Sequence, residues 1–383
     1  MDKIRNPFIL GHRIYRPYFC DREDEQKSLV SAVLNGRNVV LISPRRMGKT
    51  SLVHLSLHES NEIKKDFITI FIDILQTNSL CEFTYILGKA IFDTLASKNA
   101  TRVQGFLAAL KSLKGTFGFD PFSGTPTFNI QLGDIKYPEY TLDEIFRYIE
   151  QSEKQFIITI DEFQQITKYP EKNVEALLRS HIQHLSKATF IFAGSEQTLL
   201  QEMFISSKRP FYQSAEIMNL EPIKENTYIE FVSNMFRDYN KEVDEDAVHK
   251  IYRLFGGTTF YLQRTMNGAF ADTAERTKCD EAIILRSLKS MLAANEVIYR
   301  EILSNISVSQ KSALYAIAQD KIVKNPTGSA FIKKYSLVSS SSVQSAILKL
   351  IKSGLLTKTT EGYIVSDPLL RIFINGIYSN PEI

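Results

Sequence analysis

The chain has 383 residues and a formal net charge of +3, long enough for two or three domains of ordinary size. Its 44% hydrophobic and 23% charged content is that of a globular protein with ample core. No apolar run reaches the ~20 residues of a membrane span and the start lacks a signal-peptide core, so a cytoplasmic chain with no membrane association is expected.

The first predicted element is an amphipathic helix carrying Leu29, Val30, Val33 and Leu34, opened by the acidic run Asp21-Arg22-Glu23-Asp24-Glu25 and closed by Asn35-Gly36. The opening reads either as a charged helix start or as a segment that closes over a nucleotide base. A short buried strand follows, Asn38-Val39-Val40-Leu41-Ile42. Next comes Ser43-Pro44-Arg45-Arg46-Met47-Gly48-Lys49-Thr50-Ser51, and then a helical pattern from Leu52. Strand, tight loop and helix opening on Gly-Lys-Thr is the context of a phosphate-binding loop. Loop and helix N–H groups converge on an anion, and the helix dipole adds positive potential there. Lys49 would supply charge to the β- and γ-phosphates of ATP, and the Thr50 hydroxyl would help hold Mg²⁺. Ser43 stands where the motif's first Gly would be.

Phe67-Ile68-Thr69-Ile70-Phe71-Ile72-Asp73 is a second buried strand ending in a carboxylate, followed by helix over 80–95 and on toward Leu113. Glycines and prolines punctuate 115–140, which predicts a loop or hairpin insertion. Thr141-Leu142-Asp143-Glu144 has the capping-box form and predicts a helix start there. Phe156-Ile157-Ile158-Thr159-Ile160-Asp161-Glu162 is an apolar strand ending in two acids. With the phosphate loop, this pair suits a hydrolysable nucleotide, Asp161 orienting a Mg²⁺-bound water and Glu162 serving as general base. Thr189-Phe190-Ile191-Phe192-Ala193 is a fourth strand, and Ser195 at its tip is a candidate sensor of the γ-phosphate or the attacking water. Glu216-Ile217-Met218-Asn219-Leu220 is a fifth. Strands separated by helices predict a parallel sheet with ligands at its C-terminal edge.

Two further patterns carry bland readings. His181 and His184 lie three apart on one helix with no third metal ligand in view. Thr277-Lys278-Cys279-Asp280 matches a guanine-reading pattern but follows a helix, so adenine is favoured. Three cysteines, Cys20, Cys81 and Cys279, lie apart with no CxxC pair, which argues against a disulfide framework or a zinc site.

Residues 221–300 read as a helical unit broken at Phe255-Gly256-Gly257-Thr258-Thr259. From Ser309 three helices and a hairpin around Glu361-Gly362 predict a winged helix. Residues 301–383 hold nine basic and five acidic groups against 37 and 38 in the rest, a modest basic excess that permits contact with nucleic acid.

The set Phe19-Cys20-Asp21-Arg22-Glu23, the Ser-Pro-Arg-Arg-Met-Gly-Lys-Thr-Ser loop, Ile160-Asp161-Glu162-Phe163-Gln164 and Ala193-Gly194-Ser195 resembles the archaeal-type ATPases, found in archaea and bacteria, near the STAND and Orc/Cdc6 branches of the AAA+ proteins. The resemblance implies an α/β P-loop NTPase core over 1–220 with a five-stranded parallel sheet, a helical lid over 221–300 and a winged-helix domain over 301–383. It implies ATP or ADP and Mg²⁺ as ligands, Arg22 near adenine, residues 44–51 on phosphate, Thr50 and Asp161 on metal, and catalysis by Lys49, Asp161, Glu162 and Ser195. Relatives carry Tyr-Gly-Arg where this chain has Tyr212-Gln213-Ser214, and Pro where it has Thr259. The usual activating arginine is therefore missing from its place, with Arg209 the nearest substitute and a protein partner another source. The expected function is a slow ATPase switch. The alternative is a protein that binds double-stranded DNA through Ser340, Ser341, Ser342, Gln344, Ser345, Lys349 and Lys352, with ATP structural or regulatory.

Overall fold

The computed structural model describes residues 4–378 except 12–13, 64–66, 98–99, 114–117, 120–125, 128–129 and 360. Packing divides the chain into two compact units, Gly11–Glu221 and Met1–Leu10 with Pro222–Ile383.

In the first unit the elements run α1 (Glu23–Leu34), β1 (Val39–Ile42), α2 (Lys49–Ile63), β2 (Phe67–Asp73), α3 (Leu80–Ala96), α4 (Ala100–Ala109), β3 (Gly118–Phe119), β4 (Pro126–Thr127), α5 (Pro138–Glu150), β5 (Gln155–Asp161), α6 (Val174–Ile182), β6 (Ala188–Gly194), α7 (Gln197–Ile205) and β7 (Glu216–Asn219). Five strands form one parallel sheet in the order β2-β5-β6-β1-β7. Their side chains divide by parity. Val40, Ile42, Ile158, Ile160, Phe190 and Phe192 join one buried cluster, while Val39, Leu41, Ile157, Ile191 and Ala193 join a second on the opposite face. A sheet covered on both faces needs apolar residues at every position, which is why these strands read as unbroken apolar runs. The register brings Ile42 beside Gly194, and Asp73 beside Asp161, so the polar residues that follow the runs collect at one edge.

One expectation is corrected here. The helix expected from Thr141 begins three residues earlier, at Pro138, whose fixed φ and missing N–H suit the first helical position. Thr141 lies inside the helix, where its hydroxyl donates back to Tyr137 O, and Glu144 instead accepts from Ser112. Much of the 115–140 insertion lies outside the described residues, and the described part includes the antiparallel pairing of β3 with β4.

The second unit holds α8 (Glu225–Asp238), β8 (Glu242–Val243), α9 (Glu245–Phe255), α10 (Thr259–Asp272), β9 (Lys278–Cys279), α11 (Glu281–Ser304), α12 (Val308–Asp320), α13 (Ser329–Lys334), α14 (Ser340–Lys352), β10 (Leu356–Lys358), β11 (Tyr363–Val365) and α15 (Pro368–Tyr378). Residues 4–10 belong to it: Phe8 is fully buried against Phe236 and Phe270, Asn6 Nδ2 donates to Asn267 O, and Asn267 Nδ2 donates to Phe8 O. The break at Gly256-Gly257 is a helix end with both glycines at positive φ. Asp280, last residue of the guanine-like pattern, caps α11 by accepting from Ile283 N. α12, α13, α14 and the β10–β11 hairpin make the winged helix, and a bridge from Val323 to Tyr363 adds a third edge to the wing. α15 was not foreseen. It packs on α12 and α11, and just before it Asp367 accepts from Tyr261 and Tyr299.

Candidate functional site

The loop after β1 is shaped by two residues in the left-handed region, Arg46 at φ 69° and Gly48 at φ 84°. A Cβ on Gly48 would meet open space, so the glycine answers to backbone geometry and leaves the loop uncrowded. Ser43 is not at positive φ and is fully buried, so its position places no demand for glycine. α2 starts at Lys49, and Leu52 N closes its first turn on Gly48 O. The N–H groups ahead of Leu52 fall outside the helix's own ladder and face the loop end, the arrangement that receives an anion.

Lys49 is drawn onto the tip of β5. Its Nζ lies 2.8 Å from Asp161 Oδ1 and 3.6 Å from Glu162 Oε1. This buried ammonium is thus held between the two carboxylates at the strand tip. Thr50 Oγ1 donates to Asp161 Oδ2 at 3.3 Å, and Asp161 Oδ1 accepts from Glu162 N. Among the described residues no group of three or more His, Cys, Asp or Glu side chains is placed to hold a metal, and Thr50 and Asp161, bonded to each other, are the pair that could hold a divalent cation. That pair fits a cation whose remaining ligands are water and phosphate.

Glu162 sits at φ 55° directly after the strand, and the ring of Phe163 anchors this turn in the core, 4.5 Å from Phe192 and 5.2 Å from Phe211. Its Oε2 accepts from Ser195 Oγ at 2.8 Å and from Gln164 Nε2 at 2.6 Å. Burial pushes this carboxyl up, but Lys49, the Gln164 and Ser195 bonds and Arg45 together outweigh it and hold it below the usual carboxylate range. Arg45 reaches across the loop, and its Nε donates to Ser195 Oγ at 3.3 Å.

The structure thus brings Arg45, Lys49, Thr50, Asp161, Glu162 and Ser195 together. Met47 and Ser51 are buried beneath the loop. Arg22 caps α1 from a left-handed backbone, is 3% exposed and pairs with Glu25 at 2.8 Å, while its Nη2 has no acceptor. Its segment is fixed to α2 by Gln26 donating to Glu59. Arg209 is held elsewhere, 2.9 Å from Glu175 and 3.9 Å from Glu202. Gln213, at the Gly of the relatives' Tyr-Gly-Arg, takes φ 51°, so the backbone keeps the left-handed turn without the glycine. His181 stacks on Phe146, and its burial outweighs the Asp143 carboxylate to hold its pKa down.

Three residues escaped sequence reasoning. Gln164 is 2% exposed and bonds Glu162, yet it reads as one more residue after an acidic pair. Gly194 is shaped around it, since a Cβ there would lie 2.1 Å from Gln164 Oε1. Asp73 lies beside Asp161 in the sheet, and burial, with Asp161 and Glu162 nearby, raises its pKa against the opposing Leu75 N–H and Lys49.

Residues 19–265 match an ATPase domain predominantly from Archaea, and residues 297–376 match a probable winged helix domain. No curated protein sequence matches the chain. A Walker-type ATPase of Pyrococcus abyssi superposes with a TM-score of 0.64 at 20% identity, covering 96% of this chain and 99% of that one. The Aeropyrum pernix ORC2 protein, solved with ADPNP and ADP, gives 0.61 at 13% identity, covering 98% and 99%. The Aeropyrum pernix ORC1 protein in complex with DNA gives 0.50 at 12% identity, covering 97% and 96%. At these identities the likeness is one of fold.

Proposed function

The chain belongs to the ATPase domains predominantly from Archaea, and from that premise we propose a Mg²⁺-dependent, slow ATPase that works as a nucleotide-controlled switch. The observation that carries this is the buried Lys49 ammonium at the opening of α2, set against the Asp161–Glu162 pair. In the nucleotide complex Lys49 turns to the β- and γ-phosphates, where it neutralises charge. Bound Mg²⁺ would add charge stabilisation at the phosphates. Thr50 and Asp161 hold the cation, and Arg22 lies on the adenine side. Glu162, kept ionised by its neighbours, takes the proton of the attacking water while Ser195 fixes that water or the terminal phosphate.

Slowness follows from charge. Phosphoryl transfer gains about 10³–10⁵ in rate from an arginine on the γ-phosphate, and Gln213-Ser214 stand where relatives carry Gly-Arg. A protein partner, or a second copy, is the natural source of that group. ATP and ADP forms would then persist long enough to differ in what the chain binds. Steady-state turnover with and without Mg²⁺ tests this, and turnover in excess chelator would overturn the metal's role.

A second reading has its own support. On α14, Ser340, Ser341, Gln344, Ser345, Lys349 and Lys352 face outward, with Leu348 exposed among them, while Val343, Ala346, Ile347 and Leu350 are buried, so a mostly polar face is available to duplex DNA. DNA binding that weakens with salt, with a slope lowered by about two in the Lys349→Ala, Lys352→Ala double variant, supports it. Binding insensitive to both changes removes it.

A further inference from the structure

We propose that Arg45 reads the terminal phosphate of ATP and reports it to Glu162 through Ser195, an inference that rests on the site reading above. The Ser195 hydroxyl has one proton, and that proton goes to Glu162 Oε2 at 2.8 Å. Ser195 therefore accepts from Arg45 Nε at 3.3 Å, and the relay runs in one direction, Arg45 to Ser195 to Glu162. The geometry has an electrostatic counterpart, because Arg45 is among the charges that keep Glu162 ionised.

Arg45 is exposed, and one of its five N–H groups serves this bond. Its planar fork is the group that matches a phosphate in two parallel bonds. The base of the relay is rigid: Ile42 pairs with Gly194 across β1 and β6, and Ser43 N bonds Gly194 O, so loop and Ser195 keep one register. A change in the Arg45 side chain thus reaches Ser195 without being absorbed by the backbone.

With a terminal phosphate present, the fork turns to it and leaves Ser195 an open acceptor for the attacking water. ADP has no terminal phosphate and leaves Arg45 on Ser195. Lys49 makes this distinction less sharply, since its charge serves the β-phosphate shared by both nucleotides as well as the γ-phosphate. Arg45 would therefore set how strongly the chain prefers ATP to ADP, and Ser195 acts as a positioning residue.

The test is calorimetric binding of a non-hydrolysable ATP analogue and of ADP, with Mg²⁺, to the full chain and its Arg45→Ala and Arg45→Lys variants. The expected result is a fall of about tenfold in the analogue-to-ADP preference of Arg45→Ala, with the ADP Kd within about twofold of wild type and partial recovery in Arg45→Lys. An unchanged preference, or equal weakening of both nucleotides, overturns the relay while leaving the site reading intact. Failure of the wild-type chain to bind either nucleotide overturns the site reading and the relay with it.

Discussion

Gln164 stands where a side chain at Gly194 would go, with its Oε1 2.1 Å from the position of a Cβ. The same Gln164 donates to Glu162 Oε2 at 2.6 Å, so the missing side chain on β6 helps to set the acid at the tip of β5. Gly194→Ala should displace Gln164 and cost about 1–3 kcal/mol of stability through overpacking. Turnover should fall while nucleotide binding persists, and adding Gln164→Ala should recover stability but not turnover. Thermal unfolding and a turnover assay on the wild type and the two variants decide it.

Lys49→Ala should weaken ATP binding about 10–100-fold, the worth of charge-assisted contacts to phosphate. It should also lower the melting temperature of the nucleotide-free protein. Among the described residues Lys49 is the cation that ion-pairs with both Asp161 and Glu162, and its loss leaves two neighbouring, largely buried carboxylates without their main counter-charge. Calorimetry and thermal unfolding of the same preparation check both effects.

The pH dependence follows from Glu162. Its folded-state pKa is lowered, so its contribution to stability is present above the ordinary carboxylate range and is lost as pH falls through the lowered value. Turnover needs the ionised form and should therefore persist below the ordinary range on the acid side. Ser195→Ala removes one bond that lowers this pKa, so the acid limb should move upward. A limb unmoved by Ser195→Ala would contradict the assignment.

Arg209→Ala should act on stability alone. Arg209 is tied to Glu175, whose carboxyl burial pushes up while Arg209 opposes that. Both groups are partly screened, so the expected loss is about 1–2 kcal/mol, mostly recovered by adding Glu175→Gln. Unchanged stability with reduced turnover would instead place Arg209 at the nucleotide.

Much of this was legible in the sequence because the relevant signals are local. A strand buried on both faces is largely apolar, as Val39–Ile42, Phe156–Ile160 apart from Thr159, and Phe190–Ala193 are, and the polar residues Ser43, Asp161 and Ser195 just past these runs then mark the site edge. Gly48 announces a left-handed backbone, and Lys49 a helix start. What stayed hidden depends on tertiary neighbours. Nothing near Gln164 in sequence says that it meets Gly194, since the two come together only because β6 lies beside β5. Nor does Asp73 signal Asp161, whose strand follows some ninety residues later in the chain and pairs in register. The start of α5 was misplaced because Thr141 offers a good cap, whereas Pro138 three residues earlier fixes φ and wins. Residues 4–10 join the second unit through Phe8, a contact no local pattern encodes.

The central claim is that Glu162 is the base of an ATP-hydrolysing site built on Lys49 and Asp161. Glu162→Gln keeps the shape of the side chain but cannot take a proton from water. The most direct measurement is therefore single-turnover hydrolysis by this variant alongside its ATP affinity. The account predicts affinity within a few-fold of wild type and hydrolysis lowered about 10²–10⁴-fold. Hydrolysis by Glu162→Gln at the wild-type rate would contradict it.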